Sequence, residues 1–257
     1  MLVNDLVLLT KAARAAGDIA TSFFQKSPKV WDKGGTAGPV TEADLEVDRM
    51  LSSDLCAARP SYGWLSEETE DSADRLSQEY VFIIDPIDGT RAFIEGAPHW
   101  AHSLAIAKSG RIQAAAVYMP MLDLMFTATL GGGAYLNNLP ITVSARRETL
   151  GANILSSKAN FCEEFWPGGF PDLKRSFRSS LAYRLCLVAS GEFDGMLTLR
   201  PTWEWDVAAG CLIVSEAGGL ATDRTGVDAV FNSAGGQLNG IVASNSDIHF
   251  GLMGGLT

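Results

Sequence analysis

The sequence predicts a mixed protein in two halves, α+β over residues 1–150 and α/β over residues 151–257. Three observations carry that expectation. An amphipathic stripe opens the chain; a series of short apolar runs joined by tight turns fills its middle; and after Gly151 strand-like and helix-like runs alternate.

From Asp5 to about Phe24, Leu6, Leu9, Ala13, Ala16, Ala20 and Phe23 recur at steps of three and four, one apolar face of a helix. Lys26 to Val40 holds Pro28, Gly34, Gly35, Gly38, Pro39 and three lysines, a composition expected to form a loop rather than a helix or strand. Thr41 with Asp44 fits a capping box, and Val47, Leu51 and Leu55 continue a helical stripe to the breaker Pro60. Tyr80 to Ile84 is wholly apolar and rich in strand formers, and is expected to end at Asp85-Pro86. Ser103 to Lys108, Ile112 to Met119 and Leu124 to Thr129 read as an antiparallel meander, with Tyr135, Leu136 and the Asn137-Asn138 turn adding a hairpin. Ser144 to Gly151, with two arginines and no apolar period, divides the halves. Beyond it come a strand over Asn153 to Ser157, a helix near Ala182 to Ser190, a strand near Gly195 to Leu199, and a helix from Val207 to Ala217 stopped by Gly218-Gly219.

Charge narrows the function. Twenty basic residues against 30 acidic ones leave a formal charge of −10, which repels a nucleic acid polymer. No stretch reaches the roughly 18 apolar residues of a membrane span, and the opening residues lack a cationic leader, so a cytoplasmic location is expected. The four cysteines are scattered without a Cys-x-x-Cys pair and read as reduced thiols.

The chemistry concentrates in Asp85-Pro86-Ile87-Asp88-Gly89-Thr90. Two carboxylates at the end of a buried strand offer hard oxygen ligands to Mg²⁺, and the amides near Gly89 and Thr90 offer donors to phosphate oxygens. More carboxylates alone would repel a phosphate; a bound divalent cation reverses the local sign. Haloacid dehalogenase phosphatases also end a strand with Asp-x-Asp-Gly-Thr and form an aspartyl phosphate, but here Pro86 stands where that nucleophile would be. Attack by metal-activated water is therefore expected. Taken singly, other acidic residues have plainer readings: Asp44 as the far member of a capping box, Glu67-Glu68 as a solvated turn, Asp206 as a helix N-cap. His99-x-x-His102 reads as hydrogen-bonded histidines rather than a metal site, and Trp203 and Trp205 as packing or as a stacking surface for substrate.

Together the motifs Thr41-Glu42-Ala43-Asp44, Ser66-Glu67-Glu68-Thr69, Asp85 to Thr90, Trp205-Asp206-Val207-Ala208-Ala209-Gly210 and Glu216-Ala217-Gly218-Gly219 make the chain resemble the inositol monophosphatase superfamily along nearly its whole length. The resemblance implies a layered αβαβα sandwich of the inositol monophosphatase type. It also implies a Mg²⁺-dependent phosphomonoesterase with two or three ions and sensitivity to lithium. It assigns metal ligation to Glu67, Asp85, the Ile87 carbonyl, Asp88 and Asp206, and orientation of the attacking water to Thr90 and Asp44 with Glu67. Phosphate or substrate contacts fall to Asp88, Gly89, Thr90, Ser180 and Asp206, and Lys33 matches a loop position bordering the site.

Substrate choice lies in the second half. Inositol monophosphatases carry a glutamate seven residues before the last metal aspartate; here Leu199 stands there. Pro201-Thr202 and Ser179-Ser180-Leu181 look more like the 3′(2′),5′-bisphosphate nucleotidases, and Arg91-Ala92-Phe93-Ile94 like the histidinol-phosphatase branch. Adenosine 3′,5′-bisphosphate is the first expectation, with inositol phosphate and histidinol phosphate behind it. A silent phosphate-binding protein is the alternative of another class. The partner expected is a small phosphorylated metabolite, with no nucleic acid polymer and no membrane; a homodimer is open.

Overall fold

A computed structural model describes residues 2–34 and 38–256. The opening stripe forms α1 (Leu2–Phe23). The segment expected to be a loop is instead partly paired. β1 (Val30–Asp32) runs antiparallel to β2 (Pro39–Thr41), with Val30 opposite Thr41, while residues 35–37 of that segment lie outside the described residues. Val30, Trp31, Val40 and Thr41 are strand formers, and Pro39 takes the first strand position, where its missing N–H costs least. Thr41 then N-caps α2 (Glu42–Ala58) in a complete capping box with Asp44.

The large sheet follows: β3 (Gly63–Ser66), β4 (Tyr80–Asp88), and, after the short helix α3 (Thr90–Ile94), β5 (Ala101–Lys108), β6 (Arg111–Met119), β7 (Leu124–Thr129), β8 (Gly133–Leu136) and β9 (Leu139–Pro140). These seven strands lie in chain order; β3 and β4 are parallel and every other pair is antiparallel. The strand expected to stop at Asp85 continues to Asp88, because a register irregularity accommodates Pro86 and keeps the ladder to β5.

The second half supplies β10 (Asn153–Leu155), β11 (Lys174–Ser176), α4 (Leu181–Ala189), β12 (Gly195–Thr198), β13 (Thr202–Trp203), α5 (Glu204–Glu216), β14 (Leu220–Thr222), β15 (Gln237–Leu238), β16 (Ile241–Ser244) and α6 (Ser246–Met253). Five of its strands form a mixed sheet ordered β11-β10-β12-β16-β14, and β13 pairs separately with β15. Helix α5 begins at Glu204 rather than Val207, since the extended residue at its start is Trp203; Asp206 is thus in the first turn and is not the N-cap.

Alternation along the strands explains the layering. Phe82 and Ile84 of β4 face α1 and α2, packing with Leu9, Ala13, Leu51 and Leu55. Val81 and Ile83 point the other way, into a core shared with Leu185 and Val188 of α4, Val207 and Ile213 of α5, and Met196, Ile241 and Ala243 of the small sheet. The outer face of that sheet, Ile154, Leu197 and Val242, is covered by Ile248 and Leu252 of α6 and by Trp166. Helices, sheet, helices, sheet, helix: the order is αβαβα. Among the described residues no helix is long and apolar enough to cross a membrane, and all four cysteines are free, with Cys186 and Cys211 buried.

Candidate active site

Asp85 and Asp88 are three residues apart, which in a regular strand would send them to opposite faces. The bulge resolves this. Asp85 pairs with Ser103 and Asp88 with Ala101, so three steps on β4 match two on β5, and the extra residue turns both carboxylates to one side. Gly89 then takes φ = 99°, a left-handed conformation that directs the chain into α3. A Cβ there would lie 3.3 Å from the His99 carbonyl and 3.4 Å from the Ser180 amide, so the Gly89 turn and the 178–180 loop abut without a side chain between them.

Asp206 arrives from α5, whose start is fixed to β5 by the Ser103 hydroxyl donating to the Trp205 carbonyl at 3.0 Å. One oxygen each from Asp85, Asp88 and Asp206 lies within 4.8 Å of the others, although the three residues come from different parts of the chain. Glu67 follows β3, its amide donating to the Ile84 carbonyl at 3.3 Å. Lys33 reaches in from the β1–β2 hairpin and donates to Glu67 Oε1 and Glu68 Oε1, each at 2.8 Å. Burial alone would lower the Lys33 ammonium, but its pairing with the two glutamates outweighs this and raises it to about 12.

The carboxylates are difficult to ionise together. Burial, then the charges of Glu67, Asp88 and Asp206, drive Asp85 well above the usual carboxylate range. Burial, then Asp88 and Glu67, do the same to Asp206. Burial also lifts Asp88 to about 6, opposed by donors from Ser180 (Oγ to Oδ2, 2.5 Å) and the Ala182 amide (2.6 Å). Asp85 Oδ1 is buried with no hydrogen-bond partner. A buried oxygen without a donor inside a ring of like charges is unfavourable for the protein alone and fits a hard divalent cation.

Thr90 Oγ1 lies 3.2 Å from Asp44 Oδ1 and 3.1 Å from the Ile87 carbonyl, so the Asp44, Ile87 and Thr90 positions converge. The other Asp44 oxygen, Oδ2, accepts from the Thr41 amide (2.9 Å) and hydroxyl (2.5 Å). Asp44 is fully buried, and burial lifts it to about 6 against those Thr41 hydrogen bonds. Ser180 N-caps α4, its oxygen accepting from the Tyr183 amide at 2.9 Å while its proton goes to Asp88.

Other residues singled out in the sequence stand apart. His102 is fully buried with Nδ1 2.5 Å from the Pro86 carbonyl, and burial lowers it to about 4; His99 stacks on Tyr183. Trp203 and Trp205 stack on each other, centroids 4.6 Å apart. Leu199 is fully buried. Sequence reasoning missed Ser103.

A model of the inositol monophosphatase family matches residues 3–254 of the chain. An inositol-1-monophosphatase of Rhizobium meliloti is 34% identical over 230 residues, covering 86% of this chain and 85% of that protein. Nus factor SuhB of Escherichia coli K12 is 32% identical over 242 residues, covering 86% and 85%. Among solved structures, an IMPase of Thermotoga maritima superposes with a TM-score of 0.85 at 29% identity, covering 98% of this chain and 96% of that one.

Proposed function

The chain belongs to the inositol monophosphatase family and is a Mg²⁺-dependent phosphomonoesterase; from that premise we propose which residues run the reaction and which ester they take. Glu67, Asp85, Asp88 and Asp206, with the Ile87 carbonyl, would hold two or three Mg²⁺ ions. The single observation that carries this is the unpartnered, buried Asp85 Oδ1 within the carboxylate cluster. Bound Mg²⁺ supplies positive charge to the phosphoryl oxygens and acidifies water at the site.

The remaining work falls to the chain. Thr90, its proton directed to Asp44, presents its lone pairs to a water and, together with Glu67, fixes that water's orientation. The amides at Gly89 and Thr90 face the phosphate, and Ser180 and the Ala182 amide hold the Asp88 carboxylate in one orientation. Lys33 ties the β1–β2 hairpin to Glu67 and so borders the site. Pro86 stands two residues before Asp88, where an aspartyl nucleophile would have to be, so in this scheme water displaces the alcohol in line in one step. A phosphate ester made chiral with oxygen isotopes and sulfur is expected to invert at phosphorus; retention would require a phosphoenzyme and rule this scheme out.

For the ester, we place adenosine 3′,5′-bisphosphate first. The buried Leu199 offers no acceptor to the hydroxyls of inositol at the position where inositol monophosphatases carry a glutamate. The inositol-1-monophosphatase relatives favour inositol 1-phosphate as the second reading. Release of inorganic phosphate from adenosine 3′,5′-bisphosphate, inositol 1-phosphate and histidinol phosphate, each with Mg²⁺ and with EDTA, tests both levels. A higher kcat/KM for inositol 1-phosphate overturns the ranking, and full activity in EDTA overturns the metal requirement.

A further inference from the structure

Asp48 stands on α2 one turn after Asp44, so the two carboxylates leave the helix on the same face. It is buried and makes no ion pair among the described residues. Its Oδ1 accepts from the Ser66 hydroxyl at 2.6 Å and its Oδ2 from the Thr69 hydroxyl at 2.7 Å. A buried carboxylate without a cation costs stability, and two hydroxyls offset that cost only in part. Those hydroxyls, however, belong to the two residues that flank Glu67-Glu68.

The other holds on this segment do not replace Asp48. The Glu67 amide donates to the Ile84 carbonyl at 3.3 Å, which ties the backbone to β4 beside Asp85 but does not fix the chain beyond it. Trp64 Nε1 reaches Thr69 Oγ1 at 3.3 Å from the exposed side. Lys33 grips Glu67 and Glu68 by their carboxylates, and an ammonium on those oxygens repels a divalent cation rather than preparing a place for it. Asp48 grips both ends of the segment from a helix that Val47, Leu51 and Leu55 anchor in the core. On successive turns α2 thus carries the acceptor for Thr90 and the brace for the Glu67 turn, so the groups proposed to orient the water share one rigid reference.

We propose that Asp48 is a positioning residue for the metal site: by holding Ser66 and Thr69 together it sets the Glu67 carboxylate in place before an ion binds. An outer carboxylate that orients a ligand in this way lowers the entropy lost when the ion arrives. This inference rests on the metal ligation proposed for Glu67 and adds the residue that prepares it.

The test needs no turnover. The metal-stripped full chain is titrated with Mn²⁺, a paramagnetic ion that takes the same hard oxygen ligands as Mg²⁺, and the free ion is counted by electron paramagnetic resonance. Asp48→Ala is expected to weaken binding by roughly 10- to 100-fold, the usual loss on removing an outer partner of a metal ligand. Thr69→Val, which keeps the shape and removes one of the two hydroxyls, should weaken it less. Asp48→Asn, able to accept from one hydroxyl and donate to the other, should fall between the wild type and Asp48→Ala. Because Asp48 acts through Glu67, adding Asp48→Ala to Glu67→Gln should change the affinity by no more than about twofold, a non-additivity that simple destabilisation does not produce. Thr69→Val, alone and in the Glu67→Gln background, decides the question if Asp48→Ala fails to fold. Affinities within about twofold of the wild type in the single variants, or losses that add fully to that of Glu67→Gln, overturn the positioning role and leave the metal site standing. A wild-type chain that binds no Mn²⁺ overturns the metal ligation itself, and the role of Asp48 falls with it.

Discussion

Asp44 divides its two oxygens between structure and chemistry: Oδ2 closes the Thr41 capping box, and Oδ1 faces the Thr90 hydroxyl. In Asp44→Asn the amide nitrogen must replace one of these acceptors with a donor. With the nitrogen toward Thr90, kcat should fall more than KM rises, because the Thr90 proton loses its acceptor and the water its orientation; with the nitrogen toward Thr41, stability should fall by about 1 kcal/mol, as for a lost cap. Thermal melting with steady-state kinetics checks both; a lowered melting point with unchanged kcat would confine Asp44 to capping. Asp88 gives a larger effect. Its carboxylate is oriented by Ser180 and Ala182 toward Asp85 and Asp206, and Asp88→Asn removes a charge from that cluster while keeping its shape. Turnover should drop on the order of 10² to 10³, the usual loss for one preorganised electrostatic element, with single-turnover phosphate release as the measurement.

Helix α4 shows how an element couples a fold to a site. Ser180 both caps it and donates to Asp88, so Ser180→Ala should destabilise the protein by about 1 kcal/mol and also lower turnover; a loss of melting temperature without a loss of kcat would mean that the Ala182 amide suffices to hold Asp88. The sequence placed α4 near Ala182 to Ser190, within a residue of its observed start, though it did not single out Ser180 as the cap, whereas α2 was legible from Thr41 and Asp44. The meander was legible from its turns. What the sequence concealed was set by pairing with distant residues. The bulge that turns Asp85 and Asp88 to one face depends on the register of β4 against β5, and no local signal specifies it. The hairpin carrying Lys33 sits in a stretch whose glycines and prolines outweigh its few strand formers, so composition reads as a loop. Strands of three or four residues such as β14 and β16, buried by neighbours from other parts of the chain, are too short to show a period. The five motifs are local and hold most of the residues proposed for the site, whereas the contact of Ser103 with the Trp205 carbonyl exists only once α5 is packed on β5.

At the scale of the whole molecule, the site makes stability depend on pH in a direction opposite to that of most acidic proteins. Asp44 and Asp88 are raised to about 6 and Glu68 to about 7, in each case mainly by burial, and Asp85 and Asp206 are raised further by burial and by their neighbours. Their unfolded values lie near 4. Between pH 4 and 7 the folded chain therefore binds more protons than the unfolded one, and stability falls as pH rises through that window. Burial lowers all three histidines, His102 to about 4, and they act in the opposite sense below pH 6.5, since the unfolded chain gains protons there that the folded one refuses. The five carboxylates outnumber them. Protein stripped of metal by EDTA is thus expected to melt at a lower temperature at pH 7.5 than at pH 5. Excess Mg²⁺ should reverse the order, because a cation that binds the ionised cluster stabilises only the folded state, and more so once the carboxylates have lost their protons. Scanning calorimetry at the two pH values, with and without Mg²⁺, reads four melting temperatures. If the metal-free protein is more stable at pH 7.5, the buried cluster does not carry the mutual repulsion described here. If Mg²⁺ raises both temperatures equally, ion binding is not linked to ionisation of the carboxylates assigned to hold it.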